Sequence, residues 1–161
     1  MAVDMFMKIP NIKGESKDSV HKEEIDVLAW SWGASQSGTT HLGTGGGAGK
    51  VNVQDLSFTK YVDKSSHLLL SGCAKGTHFT DALLTVRKAG DKPLEYIKIT
   101  MNDVMVTSVS TGGSGGEDRL TENVTLNFAK VKFEYTPQKG DGSGDATVNF
   151  AFDIAANKAE K

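Results

Sequence analysis

A chain of 161 residues is long enough to bury one sizeable core, and a formal charge of -2 with a pI near 6.1 gives no electrostatic case for nucleic acid or an anionic membrane. A single cysteine excludes an intrachain disulfide, so folding in a reducing place is the expectation. Eighteen glycines against three prolines imply many turns and few stiff linkers.

The first ten residues, MAVDMFMKIP, lack a basic lead and a long apolar core, so neither a signal peptide nor a membrane span is expected there. Met5, Met7 and Ile9 alternate with Phe6 and Lys8, which reads as a strand ended by Pro10. The polar run NIKGESKDSVHKEE reads as loop. Residues 25–32, IDVLAWSW, are apolar on both faces, with Ile25, Val27 and Ala29 on one and Leu28, Trp30 and Trp32 on the other. A strand covered on one side shows a polar second face. This one needs a second cover, from its own domain or from another subunit, and Trp30 and Trp32 are its interface candidates.

Residues 33–50, GASQSGTTHLGTGGGAGK, have no period, and Leu42 is their only large aliphatic residue. Loops this long inside a compact domain are usually functional or disordered. The expectation is that a neighbouring subunit orders this one, through Leu42 and close backbone contacts at Gly45, Gly46 and Gly47. Strand character returns over 51–62, where Leu56 and Phe58 lie two apart.

Residues 60–78, KYVDKSSHLLLSGCAKGTH, are the one stretch with helical character. Asp63, Ser65 and Ser66 suit an N-cap. Leu69, Leu70, Cys73 and Ala74 recur at spacings of three and four, Lys75 suits a helix C-terminus, and Gly76 fits the left-handed position just past it. A helix of about ten residues is too short to stand alone, so it must dock on a sheet by its leucines, with Gly72 allowing close approach. Cys73 on the apolar face reads as a small buried hydrophobe.

Residues 82–87 and 94–101 flank a turn at Gly90–Asp91 and read as a hairpin. The second strand continues over 104–109, with an apolar phase change at Asp103 that predicts a bulge or bend. STGGSGGEDR, residues 110–119, is a second glycine-rich loop. After it, Val124, Leu126 and Phe128 share one face and Val131, Phe133 and Tyr135 the other. That flip near Ala129–Lys130 marks a bulge or a strand passing between sheets. Val148, Phe150, Phe152 and Ile154 alternate as a last strand, and the polar tail AANKAEK is expected to fray. The fold class is mainly β: roughly eight strands in a small barrel or two-sheet sandwich, with one helix, in a single domain over 1–161.

Motifs for catalysis fail on detail. A phosphate loop ending at Gly49–Lys50 needs glycine at 44 and serine or threonine at 51, where Thr44 and Val51 stand, and no helix follows. Gly112-Gly113-Ser114-Gly115-Gly116 matches a nucleophile elbow only formally, since no histidine follows His78. His21, His41, His67 and His78 have no metal-ligand spacing and read as surface or loop residues. The paired carboxylates Glu23–Glu24 and Glu117–Asp118 sit in polar surroundings. No catalytic residue, metal ligand or cofactor site is assigned.

Three long segments carry a resemblance: KGESKDSVHKEEIDVLAWSWG (13–33), FTKYVDKSSHLLLSGCAKGTHF (58–79) and STGGSGGEDRLTENVTLNFAKV (110–131). In order and spacing they resemble the haemolysin-coregulated protein, or Hcp, family of bacterial type VI secretion. The resemblance implies a small antiparallel β-barrel of two sheets with one flanking helix, like phage tail-tube proteins. It also implies a homohexameric ring that stacks into the inner tube of a contractile device, carries effectors in its lumen, meets tip and sheath components, and is expelled from the cytoplasm without a signal peptide. On this reading Ser31, opposite the rings of Trp30 and Trp32, is a candidate for the lumen wall, although a bend is needed because Ile25 and Val27 share its nominal face. The alternative is a monomeric β-sandwich that binds a ligand.

Overall fold

Alternation with period two builds most of the molecule: Val124, Leu126 and Phe128 are all buried, as are Leu56 and Phe58. The computed structural model describes residues 2–43 and 46–160. Along the chain run β1 (Val3–Lys8), β2 (Ile25–Ser31), β3 (Ala34–Ser35), β4 (Asn52–Val53), β5 (Leu56–Tyr61), α1 (Ser66–Lys75), β6 (His78–Lys88), β7 (Leu94–Thr111), β8 (Thr121–Tyr135), β9 (Val148–Asp153) and β10 (Lys158–Glu160). Six of these close into an antiparallel barrel in the order β8-β5-β2-β1-β6-β7, with β7 returning to β8. β9 and β10 extend the sheet beyond the barrel, and β3 pairs with β4 as a separate ribbon.

The junction is β8. One edge pairs with β7 from Thr111↔Glu122 to Ile97↔Tyr135. Its other edge is shared: the first half pairs with β5, from Tyr61↔Thr121 to Leu56↔Leu126, and the second with β9, from Lys130↔Asp153 to Tyr135↔Val148. The phase flip near Ala129–Lys130 falls where β5 gives way to β9. The facing strand flips at the same level, between Met101 and Val104, both buried. Asp103 there takes a left-handed φ of 53°. Register holds across it, Asn102↔Lys130 and Val104↔Phe128, so the feature at Asp103 is a bend without an inserted residue. The inserted residue lies further along, between Val106 and Ser108.

A second bulge, between Val27 and Ala29 on β2, resolves the two-faced apolar pattern of 25–32. Ile25 and Val27 point into the core, the phase shifts by one, and Trp30 and Trp32 then pack against the same core, half-buried. Both faces read as apolar because the inward face changes over mid-strand.

The helix occupies ten residues as expected, with Ser65 at the N-cap position, but no side chain caps it. Instead the Ser66 hydroxyl accepts from the Asp63 backbone N–H (3.0 Å). Gly76 (φ 63°) ends it in the left-handed conformation, and the Thr77 N–H closes back on the Gly72 carbonyl (3.0 Å). Leu69 is fully buried, worth about 1.5–3 kcal/mol. A Cβ on Gly72 would stand 3.3 Å from the Phe79 ring, so glycine sets how close the helix comes. Leu70 and Ala74 are exposed, contrary to the expected face, because the helix sits on a narrow seam of Leu69, Gly72 and Cys73. The tail does not simply fray: Lys158, Ala159 and Glu160 pair with Asp153, Phe152 and Ala151. Backbone bonds hold a strand there that has no apolar pattern.

Two buried polar networks flank the barrel wall, one inside it and one outside. Lys60 and Glu122, opposite each other on β5 and β8, are both buried and form an ion pair. Asp63 (3.1 Å) and Ser66 (3.2 Å) complete the Lys60 ammonium, and the Ser66 hydroxyl donates to Glu122 Oε1 (2.5 Å). On the other side of the barrel, residues 13–24 strap across β1. Arg87 donates to Asp18 (2.5 Å) and Asp4 (3.0 Å) with its guanidinium over the Phe6 ring. His21 stacks on Phe6 and bonds Glu24 (2.8 Å) and Glu95 (2.6 Å). His21 is therefore buried, not a surface residue, because Phe6 needs a cover on the outer side of β1.

Candidate functional site

The outward face of four neighbouring strands is built almost wholly from small hydroxyl and amide side chains. Ser31 on β2 pairs with Ser57 on β5, Ser57 with Thr125 on β8, and Thr125 with Ser108 on β7. One rung away, Ala29, Thr59, Asn123 and Ser110 are joined in the same way. Both rungs are exposed or half-buried, while Leu56, Phe58, Val124 and Leu126 point inward between them. The two bulges frame this face. Without the one in β2, the side of Ile25 and Val27 would continue inward through Ala29 and Ser31 and turn Trp30 and Trp32 out to solvent. Without the one in β7, Val109 would replace Ser108 and Ser110 on the outside.

The hydroxyls bond to one another along the rungs. Thr59 Oγ1 donates to Asn123 Oδ1 (2.6 Å), and Ser108 and Thr125 share a bond of 2.6 Å. At one end the Asp55 carboxylate accepts from Thr107 (2.7 Å) and Asn127 (2.9 Å). At the other end the Arg119 guanidinium lies 3.7 Å above the centre of the Tyr61 ring. Charge is confined to these rims. Such a surface offers donors and acceptors to any polar guest, presents no apolar anchor, and repels neither sign of charge.

Ser31 lies on this face, and the bend its placement demanded is the β2 bulge. Trp30 and Trp32 are partly spent on the chain's own core: Trp32 packs 6.4 Å from Phe128 and its Nε1–H donates to the Gln54 carbonyl (3.0 Å). Leu42 stands 72% exposed at the far end of the arm that β3 and β4 begin. The Gly47 carbonyl accepts a hydrogen bond from Thr39 Oγ1 (3.1 Å), and a Cβ added to Gly46 would stand 3.1 Å from Thr40 Cα. Gly45 lies outside the described residues. Sequence reasoning missed Ser57, Thr59, Ser108, Ser110, Asn123 and Thr125, whose only signal was small polar residues at alternate positions of otherwise apolar strands. Among the described residues no cluster of three or more His, Cys, Asp or Glu could hold a metal, and no helix is long and apolar enough to cross a membrane.

Comparison with known proteins agrees with this architecture. A family model described as "Type VI secretion system effector, Hcp" matches residues 6–135. Protein hcp1 of Pseudomonas aeruginosa is 64% identical over 159 residues, covering 98% of each chain. A solved structure described as a type six secretion system protein superposes with a TM-score of 0.92 at 32% identity, covering 99% of this chain and 100% of that one. Hcp1 from Salmonella typhimurium gives a TM-score of 0.79 at 38% identity over 99% and 100% of the two chains. With its barrel, helix and nearly full-length matches, the chain belongs to the Hcp family of type VI secretion proteins, the secreted subunits of the tube.

Proposed function

We propose that copies of this chain assemble into a homohexameric ring, that rings stack into the type VI inner tube, and that the hydroxyl face lines the lumen and holds effectors. The observation that carries the reading is the state of the edges of that face. β1 pairs with β2 only at Ile25 and Asp26, so among the described residues no strand pairs with the other edge of residues 27–31. β6 pairs with β7 only as far as Met105, which among the described residues leaves the same side of 106–111 without a strand partner. The face is thus a four-stranded antiparallel sheet with two open edges. Four alternating strands are an even number, so β2 of one copy can pair with β7 of the next and stay antiparallel around a closed ring. A head-to-tail contact whose rotation closes makes such a ring, and closure removes both edges.

In this reading Ser31 sits on the lumen wall beside the subunit seam. The protein waits in the cytoplasm as tube, contacts tip and sheath components, and leaves by the type VI route. Its role is structural, with no reaction assigned. Light-scattering mass with negative-stain microscopy tests it: six times 17.2 kDa and annular particles are expected, whereas a mass near one chain overturns the ring and favours the monomeric ligand-binding module.

A further inference from the structure

The apolar rungs that fill the barrel do not stop where it closes. Met7 on β1 pairs with Leu84 on β6, Leu84 with Ile99 on β7, Ile99 with Phe133 on β8, and Phe133 with Phe150 on β9. Met7, Leu84 and Ile99 are fully buried, yet Phe150 at the end of the same rung is 50% exposed. The next rung runs through Val86, Ile97 and Tyr135 to Val148, which is 58% exposed. β9 carries the core-facing side outward past the point where β5 has taken the other half of β8, and among the described residues its end is left half-exposed.

The backbone of this wing is also incomplete. Among the described residues β10 pairs with Ala151, Phe152 and Asp153 and ends at Glu160, so the outer edge of Val148 and Asn149 has no strand partner there. The wing's reverse side is different: Lys130 pairs with Asp153 (3.6 Å) and Glu160 (3.4 Å), and Lys132 with Glu134 (3.5 Å), as suits a solvated surface. An open edge joined to an apolar face is a site for another strand-bearing chain.

We infer that a second copy of this chain covers the wing of Tyr135, Val148 and Phe150, and that it is the neighbour placed against the open edge of β2. This rests on the ring reading above. Continuity selects that occupant. An apolar cleft of about 100 Å³, lined by Trp32, Ala34, Val53, Phe150 and Phe152 among others, joins the end of the β2 edge to the wing. A neighbour hydrogen-bonded along residues 27–31 therefore lies beside Phe150, and one aliphatic side chain from it fills the cleft. The seam then has two parts: strand pairing beside the lumen and an apolar plug behind it. Backbone pairing alone specifies register poorly, and the plug supplies a fixed point along the strand.

The test is Phe150→Glu and, separately, Val148→Glu, with Val20→Glu as an exposed control on the strap. Light-scattering mass is followed over a dilution series and folding is checked by circular dichroism and thermal unfolding. The expected result is a wild-type ring, an unchanged control, and wing variants that keep the monomer fold but dissociate at concentrations about 30-fold higher or more, the size of a central interface residue. Normal rings from both wing variants at wild-type dilution overturn the inference and leave the ring reading standing. A monomeric wild type overturns the ring reading itself. If Phe150→Glu misfolds, Val148→Glu decides by the same mass measurement.

Discussion

The two halves of β8 carry opposite assignments on the same two sides. In the first half Asn123, Thr125 and Asn127 face outward while Glu122, Val124, Leu126 and Phe128 are buried. In the second half the same outward series becomes Val131, Phe133 and Tyr135, packed on the core or at its margin, and the opposite side becomes Lys130, Lys132 and Glu134. The strand is continuous and its register with β7 does not slip between the halves. What differs is the partner on the other edge: β5 closes the barrel on the first half, and β9 opens a wing on the second. Burial of a side is therefore a property of the sheet around it, and the same side of one strand is polar in one half and apolar in the other.

The largest expected effect breaks the inner side of the first half. Glu122→Leu leaves the Lys60 ammonium buried without its main partner and should destabilise the fold by about 3–5 kcal/mol. The double variant Lys60→Met with Glu122→Leu should recover most of that loss, since replacing both members of a buried pair is often neutral. Chemical denaturation of the three proteins measures it. If the single variant is as stable as wild type, the pair does not hold the first half closed.

The bend between the halves is the next lever. Asp103 holds a left-handed φ of 53°, which a β-branched residue adopts poorly. Asp103→Val should cost about 1–2 kcal/mol, while Asp103→Gly should stay within about 0.5 kcal/mol of wild type. The exposed bond from His78 to Asp103 (2.9 Å) is lost in both and so cancels. Equal stabilities for the two variants would show that the conformation at 103 is not what reverses the strand faces.

Much of this was legible in the sequence, and the part that was not has a clear physical cause. Period-two spacing located the strands, the flips at Asp103 and Ala129–Lys130 marked the level where the sheet changes partners, and Gly72 and Gly76 placed the helix. The pairing of Ser31 with Ser57, Thr125 and Ser108 could not be read, because these residues lie far apart along the chain and only tertiary register joins them. Setting Ser31 apart from the face of Ile25 and Val27 asks for a bend, and the register shift between Val27 and Ala29, which no residue spacing marks, supplies one. Lys60, Glu122 and His21 look like surface residues by type, and each is buried because a partner on another strand or on the strap neutralises or bonds it. β10 gave no signal, because its pairing is backbone alone.

A smaller effect probes the strap, which is held by Phe6 on β1, Arg87 on β6 and Glu95 on β7 and so serves as a reference for both halves. The hydrogen bond from Arg87, with the Val20 and His21 amides, holds the Asp18 carboxyl well below the usual carboxylate range despite partial burial. A depressed folded value means that the stabilisation is present above the unfolded value of about 3.9 and is lost as pH falls below it towards the folded value. Glu95 adds in the same direction, since its bonds with His21 and Lys98 outweigh burial. Wild type should therefore lose thermal stability from about pH 5 to pH 3, and Asp18→Asn should start lower with a shallower slope. Parallel slopes would show that Asp18 is not coupled to folding.

The smallest expected effect on the monomer belongs to the arm, and it separates folding from assembly. The arm leaves β3 and returns to β4. In it Gly38 bridges Ala48, the Gly49 N–H donates to the Ser37 carbonyl (3.2 Å), and the Leu42 N–H to the Thr39 carbonyl (3.0 Å). Almost every described side chain between Ser35 and Lys50 is exposed, so the arm adds nearly no apolar burial to the barrel. Fixing its backbone costs about 1–2 kcal/mol per residue, more than these few internal bonds return. Contacts with an adjacent subunit or the next ring would offset that cost. Replacing residues 37–47 by an Asn-Gly turn should leave the melting temperature of the dissociated subunit nearly unchanged or slightly raised, since each halving of loop length relieves only about 0.6 kcal/mol of closure entropy. The same deletion should weaken rings or tubes, read as mass on dilution and as filament length by microscopy. Set beside Phe150→Glu, it sharpens the contrast between the two docking regions: if the arm bridges rings, its loss shortens tubes but leaves single rings, whereas loss of the wing dissolves rings first. Normal tubes from the deletion would make the arm a passive connector.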